Sequence, residues 1–178
     1  MNYTTQNSLL LNNLLGFYNK NNNIDKILPI INGESLISLR LVDWFVTNYS
    51  KKNYTIIKNA NVRFKVYTDY KLKLKAYSKK RFDPFCRWDR ITIPYKENIS
   101  IQTTIGQLNF FRWLLENNIM SYIKEHLELI NQDMNKRNST SKNKLKFKNK
   151  TRKKREELSV LASKSIKKEQ VKIVVEFK

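Results

Sequence analysis

RITIPYKENISIQTTIGQLNFFRWLLEN, residues 90–117, changes period part-way along. Arg90–Tyr95 and Ile99–Thr103 are short β-type runs, and Pro94 closes the first or places it at a sheet edge. From Ile105 the spacing lengthens. Leu108, Phe111 and Leu115 form one stripe, with Phe110, Trp113 and Leu114 beside it. That pattern predicts a helix over 105–117, with Thr103 or Thr104 as its N-cap. Strands followed by an amphipathic helix point to the α+β class.

The flanking sequence extends this picture. Leu36, Leu39, Val42 and Val46, widened by Leu41, Trp44 and Phe45, predict a core helix over 34–51, capped by Ser35 or Asn32. Ser8–Tyr18 suits a short helix and Asn19–Asp25 a polar loop. Tyr54–Lys58 is a short β run. Arg63–Tyr77 alternates apolar and basic residues with period two, which predicts a strand over 62–68; residues 69–79 fit either strand or helix. Ile119, Ile123, Leu127 and Ile130 continue a helical pattern to Asp133. The expected architecture is a small, mainly antiparallel sheet packed by two to three helices. Its divisions are an N-terminal helix and loop (1–30), an α+β domain (31–137) and a basic linker with a terminal helix and strand (138–178). The terminal elements are Glu156–Lys164 and Val171–Phe177.

Charge is the strongest functional signal. The chain has 178 residues, 35 Lys and Arg against 15 Asp and Glu, and a formal net charge of +20. Residues 51–96 carry a net +11 and residues 138–178 a net +10, while the remaining segments are close to neutral. Biased codon usage would spread such an excess along the chain; here it is blocked. Like charges held together in a compact state repel, and a polyanion relieves that repulsion as its counterions are released. One cysteine and one histidine exclude a zinc finger, a disulfide framework and a multi-cysteine cluster. Three glycines leave no phosphate-cradling loop of the common kinds. No cofactor or metal is expected. No run is apolar for the roughly 20 residues a membrane helix needs, and Met1–Asn7 lacks the features of a secretory signal, so an intracellular, non-secreted protein is expected.

KKRFDPFCRWDR, residues 79–90, interleaves basic and aromatic side chains around an Asp83-Pro84 turn. Arginine forks pair with phosphate oxygens and aromatic faces stack on bases, so this cluster suits nucleic acid, DNA or RNA. The expected phosphate contacts are Lys71, Lys73, Lys75, Lys79, Lys80, Arg81, Arg87 and Arg90, with Phe82 and Trp88 stacking. In the alternative arrangement Phe82, Phe85 and Trp88 pack inward. A second footprint is the unopposed run of Lys142, Lys144, Lys146, Lys148, Lys150, Arg152, Lys153, Lys154 and Arg155, an arm that adds affinity without sequence information. Asp69, Asp83, Asp89 and Glu116 could form a metal-dependent nuclease site only by meeting in space, since their spacing is not diagnostic. Cys86 suits a small buried side chain, and His126 a surface or locally bonded group.

SLRLVDWFVTNYSKKN (38–53), LKAYSKKRFDPFCR (74–87), TTIGQLNFFRWLLENNI (103–119) and the closing RKKREELSVLASKSIKK resemble segments of an uncharacterised protein family of nucleocytoplasmic large DNA viruses, the giant viruses. The resemblance spans most of residues 36–178. It implies a viral origin and a place in the host cytoplasm or nucleus (the viral factory) or in the virion, and it brings no catalytic residues. The function expected is therefore a non-enzymatic nucleic-acid-binding protein that organises DNA or accompanies the virion. A virion module that binds an acidic protein is the alternative from another class, and a nuclease the third.

Overall fold

A computed structural model describes residues 5–20, 22–59, 62–87, 89–96, 99–147 and 167–170. Thr5 caps α1 (Gln6–Tyr18), its hydroxyl accepting from the Ser8 N–H at 3.3 Å. The expected polar loop is shorter than its composition suggests, because α2 (Asn23–Asn32) already begins at Asn23. Ile27, Leu28, Ile30 and Ile31 are buried there, which outweighs the asparagines and the internal Pro29. Gly33 ends α2 at φ 75°, a left-handed C-cap that glycine adopts without a Cβ clash.

The helix expected over 34–51 starts later. Ser38 caps it, accepting from the Leu41 N–H at 3.1 Å. It then runs unbroken through α3 (Leu39–Trp44), a π-helical turn (Phe45–Tyr49) and α4 (Ser50–Lys52). Next, β1 (Ile56–Asn59) pairs antiparallel with β2 (Val62–Lys65), in the register Ile56 to Lys65, Ile57 to Phe64 and Lys58 to Arg63. The strand expected to reach residue 68 ends at Lys65, and α5 (Val66–Arg81) follows. Helical spacing wins because Val66, Tyr70, Leu74 and Tyr77 all pack on the core from one side. Ser78 kinks α5 near its end, with φ 59° and ψ 170°.

β3 (Arg90–Lys96) and β4 (Ile99–Thr104) form an antiparallel pair, and β5 (Lys167–Gln170) adds antiparallel to β4, from Ile99 opposite Gln170 to Gln102 opposite Lys167. The chain thus returns to the sheet, through a strand earlier than the one expected; Val171–Phe177 and the expected helix at 156–164 lie outside the described residues. α6 (Ile105–Glu116) starts at Thr104, whose hydroxyl accepts from the Gln107 N–H at 3.2 Å. α7 (Ile119–Glu125) and α8 (Leu127–Phe147) break at His126, where a single helix was expected.

Two expectations are corrected by this arrangement. Residues 138–147 continue α8 and are no linker. Ile130 and Met134 anchor the first turns, and extending a formed helix is far easier than starting one. Segment 1–30 also shares the main core, for Leu14, Tyr18 and Ile27 are buried and the Tyr18 hydroxyl donates to the Leu108 carbonyl at 2.7 Å. The class is α+β, but helices supply most of the core. Among the described residues the strands form two separate antiparallel sheets, of two and three strands, in place of the one expected.

Candidate nucleic-acid interface

The loop after α5, flanked by Lys79–Arg81 and Arg90, is held by its backbone and by one aromatic ring. Asp83 makes an Asx turn, its carboxylate accepting from the Phe85 N–H at 2.8 Å, and the Cys86 N–H closes on the Asp83 carbonyl at 3.1 Å. Gln107 donates to the Pro84 carbonyl at 3.0 Å and Thr104 to the Cys86 carbonyl at 3.3 Å, so the first turn of α6 grips the loop. Asn109 donates to the Arg81 carbonyl at 2.9 Å. Gly106 permits the close approach: a Cβ there would lie 2.9 Å from the Lys80 carbonyl oxygen and 3.0 Å from the Cys86 sulfur.

Phe82 is the anchor, and here the stacking expectation is corrected. The side chain is 1% exposed, among Tyr70, Tyr77, Phe110 and Trp113, so no base can reach its face. The inward alternative holds for Phe82. Trp88 lies outside the described residues. Cys86 is buried, its thiol directed to the Lys80 carbonyl at 3.4 Å.

The cationic side chains behave differently. Lys71, Lys75, Lys79, Lys80, Arg87 and Arg90 are exposed, while Lys73 and Arg81 are half-buried. A helical step of about 100° per residue separates Lys73 from Lys71 and Lys75 by roughly 160°. The shared lysine face expected from strand alternation is therefore split, with Lys73 beside the core-facing flank. Arg81 donates to Gln6 at 3.2 Å and Arg90 to Gln102 at 2.9 Å; both partners are neutral. None of Lys71, Lys73, Lys75, Lys79, Lys80 or Arg87 forms an ion pair with a carboxylate among the described residues. Carboxylates are instead taken by cations of other segments: Asp133 by Arg137 at 3.2 Å and Lys52 at 4.0 Å, and Glu116 by Arg112 at 2.7 Å.

Arg63 and Lys65 belong with this group although only their alternation, and no motif, marked them. Both are exposed on the outer face of the β1–β2 ribbon. Ahead of the ribbon, the Lys51 ammonium stands 5.6 Å from the Tyr67 ring centroid, which brings the end of α4 against the start of α5.

The four acids considered for a nuclease do not converge. Asp69 accepts from the Trp113 indole at 2.6 Å, Glu116 is paired with Arg112, Asp83 is bound into its turn and Asp89 is exposed. No group of three or more His, Cys, Asp or Glu among the described residues is placed to hold a metal ion. The acid that sequence did not single out is Asp43. Burial and the neighbouring Asp83 carboxylate push it up to about 6, against the pull of Lys79. Burial also raises Asp83, opposed by the Phe85 N–H and Lys79. Tyr70 is pushed up to about 12 by burial and then by Asp43 and Asp83. Lys79 thus acts on two half-buried carboxylates, unlike Lys71, Lys75 and Lys80. His126 stacks on Tyr122, with ring centroids 4.1 Å apart, and its Nδ1 lies 3.0 Å from the Tyr122 carbonyl.

Of the second run, Lys142, Lys144 and Lys146 occupy positions on α8. Lys148, Lys150, Arg152, Lys153, Lys154 and Arg155 lie outside the described residues. The run starts on α8, and β5, seated on the sheet, comes after it in the chain.

These features define a helical α+β protein that carries unpaired cations on an aromatic core. The chain belongs to the family of unknown function DUF7197, whose family model matches residues 2–177. It is 48% identical over 132 residues to "Uncharacterized protein L507" of Acanthamoeba polyphaga mimivirus, a match covering 69% of this chain and 50% of that protein. The chain spans about half the length of this curated relative, and the match gives it a viral origin. No solved structure matches it. No helix among the described residues is long and apolar enough to cross a membrane.

Proposed function

We propose that this viral protein binds nucleic acid without catalysing a reaction on it, as an organiser of viral DNA in the infected cell or in the virion. One observation carries the proposal. Lys71, Lys75, Lys80 and Arg87 are exposed and form no ion pair with a carboxylate among the described residues, while Lys52, Arg112 and Arg137 pair with Asp133 and Glu116. Unpaired cations on a rigid framework pay little to engage phosphate, because no ion pair must first be broken. Lys142, Lys144 and Lys146 of the second run add further charge on α8.

Lys71, Lys75, Lys80, Arg87 and Arg90 act as phosphate contacts, with Lys79 weaker because Asp43 and Asp83 compete for it. Phe82 positions the loop from within the core. Lys142 to Arg155 supply affinity that does not depend on base sequence.

The test is the salt dependence of binding to a DNA duplex. With about 6–10 phosphates neutralised, log K should fall with log salt at a slope of about −5 to −9. A response independent of salt would overturn the proposal, as would stronger binding to an acidic peptide than to either nucleic acid.

A further inference from the structure

Resting on the nucleic-acid proposal above, we infer that the β1–β2 ribbon lies in the major groove of B-form DNA, so that the preferred ligand is duplex DNA and not duplex RNA. Ile56 faces Lys65 and Lys58 faces Arg63 across the ribbon, which assigns these four positions to one face; Ile57 and Phe64 take the other. The second face is fixed to the protein. Ile57 is buried, Phe64 lies 6.2 Å from the Trp113 ring centroid, and the Val66 N–H bonds to the Thr55 carbonyl at 3.2 Å. The first face is open, with Arg63 and Lys65 exposed and Ile56 42% exposed between charged neighbours.

An isoleucine held out in solvent amid cations gains nothing from water or from phosphate. A base-pair edge in the major groove supplies partners for both chemistries. Guanine O6 and N7 accept from an arginine fork, and the thymine methyl packs against an aliphatic side chain. The dimensions agree, since two strands about 4.8 Å apart, with their side chains, fill a groove about 12 Å wide. In A-form RNA that groove is too narrow and deep for side chains to read. At the foot of the ribbon, Tyr54 is 80% exposed and held at φ 44°, a left-handed conformation that is strained for a bulky residue. Its hydroxyl is free to reach the sugar–phosphate rim.

The experiment uses the full chain with a short DNA duplex and the RNA duplex of the same sequence. It adds dimethyl sulfate protection of guanine N7 and competition by a minor-groove drug. The expected result is at least about tenfold preference for DNA, N7 protection, and no displacement by the drug. Arg63→Ala should abolish the protection and most of the preference while leaving the salt slope nearly unchanged, because its partner is a base edge and not a phosphate. Ile56→Ala should weaken binding to thymine-containing sites selectively. Both side chains are exposed, so circular dichroism should show an unchanged fold. Equal binding of the two duplexes, or N7 protection indifferent to Arg63→Ala, overturns the ribbon inference and leaves the nucleic-acid proposal standing. Binding of neither duplex at low salt overturns both.

Discussion

Phe82 meets Trp113 edge-on, with ring centroids 5.5 Å apart and planes at 72°. The positive edge of one ring faces the negative face of the other, a favoured aromatic geometry. Trp113 in turn donates its indole N–H to Asp69 at 2.6 Å, so this pair links the loop after α5, α6 and the start of α5. The loop that carries Arg87, flanked by Lys79–Arg81 and Arg90, is positioned from Phe82.

Phe82→Ala should destabilise the protein by about 3–5 kcal/mol, the usual cost of emptying a buried phenylalanine site. Denaturant unfolding measures this. Phe82→Leu keeps most of the volume and should retain nucleic-acid binding at salt and temperature where the variant is folded. If the leucine variant kept its stability but lost binding to single strands, the ring would have to be a stacking platform after all.

Gly106→Ala places a Cβ 2.9 Å from a backbone oxygen, and that oxygen cannot swing aside as a side-chain tip would. The loop must shift from α6 or the helix must start later. A loss of about 1–3 kcal/mol is expected, together with faster amide exchange at Cys86 and Gln107, which the shifted loop exposes. An alanine variant as stable as the parent would show that the loop does not depend on this contact.

How much of this was legible in the sequence depended on what decided each element. β3, β4 and α6 were readable because Thr104, the stripes of 108–115 and the strand periods all agree. Arg63–Tyr77 was ambiguous because strand and helix both sort its apolar residues. The choice was made by Phe82, Phe110 and Trp113, which offer Tyr70 and Tyr77 an aromatic pocket; Phe110 and Trp113 are distant in sequence from α5. α2 was hidden because asparagines and Pro29 mask four buried aliphatics. The basic side chains were found by charge alone; which of them would stay unpaired was not, since Asp133 and Glu116 choose partners by tertiary geometry. Asp43 reads as one polar residue in an apolar helix, and nothing local shows that Asp83 lies beside it.

Asp43 makes stability depend on pH in a definite direction. Its folded pKa is raised from 3.8 to about 6, so the folded state holds the proton more tightly than the unfolded chain. The contribution is fully present below pH 3.8 and is lost as pH rises through about 6, at a cost of up to about 3 kcal/mol. Asp43→Asn keeps the shape without the charge. It should raise the melting temperature at pH 7–8 and leave it nearly unchanged near pH 4. An asparagine variant less stable at pH 8 would mean that the carboxylate is held by interactions that favour its charged form.

Paired and unpaired cations should separate in a single experiment. Lys71 and Lys75 are exposed on α5 without a carboxylate partner among the described residues. Replacing both with Gln should change stability by less than about 0.5 kcal/mol. If each contacts a phosphate, the salt slope for duplex binding should shrink by about 1.8. Arg137 and Lys52 instead converge on Asp133, which also accepts from the Trp44 indole at 3.1 Å and so joins α3 to α8. The Arg137 guanidinium lies 5.7 Å from the Trp44 ring centroid as well. Lys52→Gln with Arg137→Gln should therefore lower stability by roughly 1 kcal/mol and leave the slope within error of the parent. The opposite pattern, a slope set by Lys52 and Arg137 and indifferent to Lys71 and Lys75, would place the phosphate-binding face on α8 and remove α5 from it.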